Sequence, residues 1–175
     1  MKIKLKRVTE SEIDFACRIE SDVELWKYSN NVETDYQKLK TKFSERMQSD
    51  TAYDFVIQLN NEAETPVGLA YIWSYSHDEK RRSWEIGYAI LPEHQKQGFC
   101  IDAVRCLLRF AFTELNAHKV IATCNEYNIA SYRIMERLGM TREGVFREEK
   151  LWQGKWVDQY FYGILEDEYK DNTTV

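Results

Sequence analysis

Gln95-Lys96-Gln97-Gly98-Phe99-Cys100 stands between a run that reads as a strand, Glu85 to Leu91, and a strongly amphipathic segment from Gly98 to Leu115. Pro92 separates the two. A helix that begins here presents backbone N–H groups with no intrahelical partner, together with the positive end of the helix dipole. Such a start holds a phosphate or pyrophosphate. Gly98 has no Cβ and tolerates unusual φ, so the backbone can approach that ligand closely. The loop lacks the Lys-Ser/Thr ending of a P-loop and is not G-x-G-x-x-G, which counts against nucleotide hydrolysis and dinucleotide redox chemistry.

Working outward, Val104, Leu107, Leu108, Ala111, Phe112 and Leu115 recur at helical spacing, with Asp102, Arg105 and Arg109 opposite. Lys119 to Cys124 follows as a short buried strand. A strand, a crossover helix and a second strand imply a parallel pair with a right-handed connection. Upstream, residues 2–8 read as a strand, Thr9-x-x-Glu12 and Thr34-x-x-Gln37 as capping boxes that open two helices, and Tyr53–Leu59, Pro66–Tyr75 and Trp84–Leu91 as an antiparallel meander. Downstream, Asn128 to Leu138 reads as a helix stopped by Gly139, and two aromatic-rich strands flank Gln153-Gly154-Lys155. The expected fold is α/β: one domain over residues 1–168 with a polar tail at 169–175. Its sheet is mixed and mostly antiparallel, with one central parallel pair flanked by helices.

The chain has 175 residues, 43% hydrophobic and 14% aromatic, enough to bury a substantial core. A formal charge of −5 without a basic run argues against nucleic acid as a direct partner. Cys17, Cys100, Cys106 and Cys124 form no C-x-x-C pair, and His77, His94 and His118 do not cluster with them, so no metal is expected. With no membrane-length apolar segment and no leader, the expected setting is the cytoplasm, with free thiols and no membrane partner. The oligomeric state is open, a homodimer being one option.

Trp84-Glu85-Ile86-Gly87-Tyr88 followed by Pro92 to Cys100 resembles motif A of the GNAT N-acetyltransferase superfamily, and Asn128-x-Ala130-Ser131 leading into Glu136-Arg137-Leu138-Gly139-Met140 resembles its next motif. Arg142 to Arg147 and Gly154 to Asp158 are similar to the branch that acetylates ribosomal-protein N-termini. The resemblance spans residues 4–168. It implies acetyl-CoA as co-substrate and a primary amine as acceptor, with the α-amine of a ribosomal or other protein N-terminus as the leading substrate. The alternatives are a small amine (polyamine, aminoglycoside, toxin or amino-acid derivative) and a module that binds acetyl-CoA without turnover.

The resemblance also assigns residues. Backbone amides of Gln95, Lys96, Gln97, Gly98, Phe99, Cys100 and Ile101 would hold the pyrophosphate. The strand end at Ile90 and Leu91 would pair with the pantetheine arm, and Asn128, Ser131 and Arg133 would add cofactor contacts. Direct attack needs a neutral amine, and a lysine-like amine titrates near 10.4. Glu85 is the candidate base; its other reading is a strand carboxylate paired with Lys80, Arg81 or Arg82. The tyrosine many relatives use to protonate the thiolate is replaced by Met135, leaving Ser131 or Tyr132 as alternatives, and Ser131 and Asn128 also suit helix capping. Cys100 reads as a small packing residue or as a thiol activated by the helix start. Glu20, Asp22, Glu24 and Asp35 could attract a cationic acceptor or be a solvated surface. Trp152, Trp156, Tyr160 and Tyr162 alternate at strand spacing, and one or two of them could line an acceptor groove.

Overall fold

The computed structural model describes residues 1–76, 80 and 82–173, with side chains to 169. His77, Arg81 and the last two residues of the expected tail lie outside the described residues, as does most of the 77–81 loop. The strands are β1 (Ile3–Arg7), β2 (Ala52–Leu59), β3 (Pro66–Ser74), β4 (Ser83–Ile90), β5 (Lys119–Asn125), β6 (Thr141–Trp152) and β7 (Lys155–Leu165). The helices are α1 (Ile13–Glu20), α2 (Tyr36–Met47), α3 (Phe99–Thr113), α4 (Ile129–Arg137) and α5 (Glu166–Thr173). The hydrogen-bonded strand order is β1-β2-β3-β4-β5-β7-β6. β4 and β5 run parallel, and the registered pairs β1–β2, β2–β3, β5–β7 and β6–β7 are antiparallel, which is the fold class the sequence implies.

Contacts gather the chain into two compact units. The first comprises Met1–Lys27, Asn31–Trp73 and Ile86–Leu107. Its core forms where α1 and α2 bring Ile13, Ala16, Cys17, Leu39 and Phe43 against Val56 and Leu69. The i, i+4 pair Leu39 and Phe43 supplies the inner stripe of α2, and burying side chains of this size is worth about 1.5–3 kcal/mol each. The start of α2 differs from expectation by one residue. Asp35 is the cap, its Oδ1 accepting from Gln37 N at 2.9 Å and Lys38 N at 3.2 Å. A carboxylate there both satisfies the orphan amides and complements the dipole, which the Thr34 hydroxyl cannot do as well. The Thr9–Glu12 lock stands as expected: Glu12 Oε2 accepts from Thr9 N at 3.1 Å. Burial pushes the Glu12 carboxyl up, but hydrogen bonds from Lys6, Thr9 and Ser11 outweigh it and hold it at about 2.

The second unit comprises Tyr28–Asn30, Ser74–Glu85 and the chain from Leu108 on. β5 and β7 pair along their whole overlap, from Lys119–Leu165 to Asn125–Gln159. β6 joins β7 through a hairpin whose Gln153 and Gly154 both take positive φ, the backbone a two-residue turn between twisted strands requires. β6 has no buried residue, and its pairing is irregular at Arg142/Gly144 and at Phe146/Lys150, as suits an edge that must not recruit another strand. Most of the expected polar tail is helical. α5 continues to Thr173, and Tyr169 stacks on Phe112 of α3 with ring centroids 4.7 Å apart.

Candidate active site

β4 ends in a tightly specified backbone. A Cβ on Gly87 would lie 2.1 Å from Tyr71 Cε2, and one on Gly68 would lie 2.1 Å from Ala89 O, so both glycines are required by the close packing. Leu91 N then donates to Val67 O at 2.9 Å, and Pro92–His94 makes one 3₁₀ turn, with His94 N donating to Leu91 O at 2.9 Å.

The side chains of the following loop fold back on the backbone: Gln95 Nε2 donates to Ile90 O at 2.9 Å and Gln97 Nε2 to Glu93 O at 3.3 Å. Lys96 (φ +60°) and Gly98 (φ +86°) take left-handed conformations. For a lysine this costs about 1–2 kcal/mol, the kind of strain that persists where a backbone shape is needed. Asp102 N is the α3 amide that returns to Gly98 O, at 3.2 Å, so the amides of Phe99, Cys100 and Ile101 form the first turn.

Apart from Gly98 itself and its two chain neighbours, nothing lies within 4 Å of the position a Gly98 Cβ would take. That open approach, at a helix start preceded by a glycine with no side chain to cap it, fits the pyrophosphate of acetyl-CoA. Gln95 to Gly98 are exposed, Phe99 is buried, and Cys100 and Ile101 are half-buried. Burial pushes the Cys100 thiol up to about 12, which favours the packing reading over an activated thiol.

In the second unit, the β4–β5 ladder registers Ser83 with Lys119, Trp84 with Val120 and Glu85 with Ile121. Glu85 is half-buried, and its Oε1 accepts from Thr123 Oγ1 at 3.0 Å. Arg82, expected as an ion-pair partner, donates its Nη1 to Asn116 O at 3.1 Å. Two residues beyond Thr123, and on the same strand face, Asn125 is 4% exposed. Its Oδ1 accepts from Tyr127 N at 2.9 Å, while its Nδ2 is buried with no partner among the described residues. A donor left in that state costs about 1–3 kcal/mol. Thr123 and Asn125 were not foreseen. The alternation Thr-Cys-Asn carries the signal, but Asn125 opens the polar run Asn-Glu-Tyr-Asn and reads as loop.

α4 begins with Asn128 as cap, its Oδ1 accepting from Ser131 N at 3.3 Å. Ser131 is half-buried in the first turn and Arg133 is exposed. Tyr132 meets Tyr160 edge-on with centroids 5.7 Å apart, and the Arg142 guanidinium lies 4.0 Å from the Tyr160 ring centroid. Met135 is 1% exposed, so the position where many relatives carry a tyrosine is core here.

Trp152 is stacked between Tyr28 at 5.6 Å and Tyr127 at 5.1 Å, whereas Trp156 is 62% exposed. Of the acidic group, Glu20 pairs with Lys42 at 2.7 Å, Asp22 accepts from Glu24 N and Leu25 N, and Asp35 caps α2. Those carboxylates hold backbone and neighbours in place. Among the described residues no group of three or more His, Cys, Asp or Glu could hold a metal ion, and no helix is long and apolar enough to cross a membrane.

Residues 2–141 match the family model for the acetyltransferase (GNAT) domain. The chain is 35% identical to the uncharacterized N-acetyltransferase YnaD of Bacillus subtilis (strain 168), over 73% of this chain and 72% of that one. It is 32% identical to the putative ribosomal N-acetyltransferase YdaF of the same organism, over 53% of this chain and 51% of that one. In structure it is similar to spermidine N-acetyltransferase from Vibrio cholerae in complex with CoA and spermine, with a TM-score of 0.88 and 22% identity over 97% of this chain and 98% of that one. The chain therefore belongs to the GNAT acetyltransferase family, and it is an acetyl-CoA-dependent enzyme that acetylates an amine. The putative ribosomal relative is matched over about half of this chain, and the spermidine enzyme shares its fold along nearly the whole length.

Proposed function

We propose that the acceptor is a small polyamine-like amine, and that residues 1–168 act as one acetyltransferase domain in the cytoplasm. The observation that carries this reading is the likeness to the spermidine enzyme along 97% of the chain. A net charge of −5 agrees with it, since a cationic acceptor is drawn to such a surface. The corresponding α-amine reading draws on the likeness to the putative ribosomal enzyme and on Met135, which supplies no acid.

In either case the residues take the same parts. The amides from Gln95 to Ile101 hold the pyrophosphate, and the strand end at Ile90 and Leu91 carries the pantetheine arm. Asn128, Ser131 and Arg133 add cofactor contacts, and Ser131 donates toward the leaving sulfur. Acetyl-CoA supplies the activated acyl group; Glu85 takes the proton that the amine must lose. Holding the two substrates together supplies a large share of the rate.

Thiol release from acetyl-CoA is to be measured against spermidine, spermine, free lysine, an aminoglycoside and a ribosomal N-terminal peptide. Saturable release with spermidine or spermine is expected; release with the peptide alone overturns the polyamine reading. Glu85→Gln should lower kcat about 100-fold or more with the acetyl-CoA Kd unchanged. Equal loss of both would remove Glu85 as the base.

A further inference from the structure

Asn125 has an unusual combination of properties for a residue at the end of a strand. It is almost wholly buried, and its amide orientation is fixed rather than free. Because Oδ1 accepts from Tyr127 N at 2.9 Å, the opposite end of the amide must be the nitrogen. That nitrogen is a buried donor without a partner among the described residues, and native structures rarely leave one so.

Its position gives the orphan a meaning. Thr123 and Asn125 occupy the same face of β5, and Thr123 Oγ1 is already committed as donor to Glu85 Oε1 at 3.0 Å. Successive residues on one strand face have Cα atoms about 7 Å apart, and a single water with two ordinary hydrogen bonds joins side-chain atoms about 4.5–6 Å apart, so polar side chains that extend toward one another along this face can share one. On the other side, Gln159 of β7 lies directly opposite Asn125 and is itself buried. A buried water requires two to four polar partners, and the Asn125 amide with the Glu85 carboxylate supplies two of opposite kind.

Resting on the assignment of Glu85 as base, we propose that Asn125 is a positioning residue that holds the water through which Glu85 deprotonates the attacking amine. Direct contact between Nδ2 and the amine would be counterproductive, because an N–H donor there competes for the lone pair that must attack. Water resolves the conflict. One lone pair accepts from Asn125 Nδ2 and one proton is donated to Glu85. As the N–C bond forms and the C–S bond breaks, the amine proton passes to the water while the water's proton passes to Glu85, so the water is returned unchanged and the sulfur leaves as thiolate.

Two measurements test this. In a high-resolution crystal structure of the full chain without acceptor, an ordered water should lie about 2.7–3.2 Å from both Asn125 Nδ2 and a Glu85 oxygen; a dry site there overturns the proposal whatever the enzyme turns over. In kinetics with acetyl-CoA and the panel amine that wild type uses, Asn125→Asp keeps the Tyr127 turn but loses the donor. It should lower kcat about 10-fold or more, leave the acetyl-CoA Kd within about twofold, and raise the pH of the acidic limb of kcat. Asn125→Ala should do the same, with thermal unfolding reporting whether the fold is kept. If both variants keep the wild-type limb, Asn125 is merely structural. If Glu85→Gln is fully active, the base assignment fails first, which separates the two ideas.

Discussion

Four helices of this chain solve the same problem at their starts, and one of them solves it differently. α1 is preceded by the Thr9–Glu12 lock, α2 is capped by Asp35 and α4 by Asn128. Asp35 and Asn128 each spend a side-chain oxygen on amides the helix cannot satisfy by itself, and Glu12 spends one on the amide of Thr9, at the head of the 3₁₀ turn that leads into α1. α3 is preceded by Gly98, which has no side chain to spend, a left-handed φ of +86° and open space where a Cβ would stand. A capped start is finished within the protein, whereas Gly98 leaves the start of α3 open, as the proposed pyrophosphate site requires. The proposed anion site is thus set apart less by the helix dipole, which all four starts possess, than by a glycine where the others have a side chain.

The comparison breaks most sharply at Gly98. Gly98→Val puts a branched side chain into a left-handed backbone and into the approach, and should weaken acetyl-CoA binding about 100-fold, roughly 2.7 kcal/mol. Calorimetric titration checks it; unchanged affinity would count against the loop.

At α4 the expectation is reversed. Asn128→Ala should cost about 1 kcal/mol of stability in denaturant unfolding. Asn128→Asp, which keeps the capping oxygen, should restore it. A loss of acetyl-CoA affinity in Asn128→Asp despite normal stability would show that the amide nitrogen serves the cofactor as well.

The smallest effect belongs to α1. The Glu12 carboxyl is held at about 2 against about 4.3 in an unfolded chain, so its contribution is complete above about pH 4.3 and is lost as pH falls towards 2. Glu12→Gln should therefore destabilise by up to about 1 kcal/mol at pH 7 after solvent screening, and the gap to wild type should close below about pH 3. A gap that is independent of pH would assign the effect to packing.

The start of α3 was legible because both its signals are local: a glycine after a strand, and an apolar stripe of period 3.6. The Thr9–Glu12 lock was legible for the same reason. Asp35 displaced Thr34 because two capping residues stood side by side and only the folded backbone chooses between them. α5 escaped notice because its sequence is polar, and what holds it is a ring stack on Phe112, a residue 57 positions earlier by the numbering. The bond between Thr123 and Glu85 depends on how β4 and β5 are registered, and a one-residue slip would point either side chain to the opposite face. Periodicity says which residues share a face, and says nothing of which strand position they meet.

The placement of the cysteines bears on how this enzyme can be followed at the bench. Cys17, Cys106 and Cys124 are buried and Cys100 is half-buried, with burial pushing the Cys100 and Cys124 thiols to about 12 and the Cys17 thiol upward as well. Colorimetric disulfide reagents react with thiolate, so while the chain stays folded these sulfurs are nearly silent to them. The protein is a dark background for the free CoA it releases, and a slow rise in colour without acceptor would report unfolding before it reported turnover.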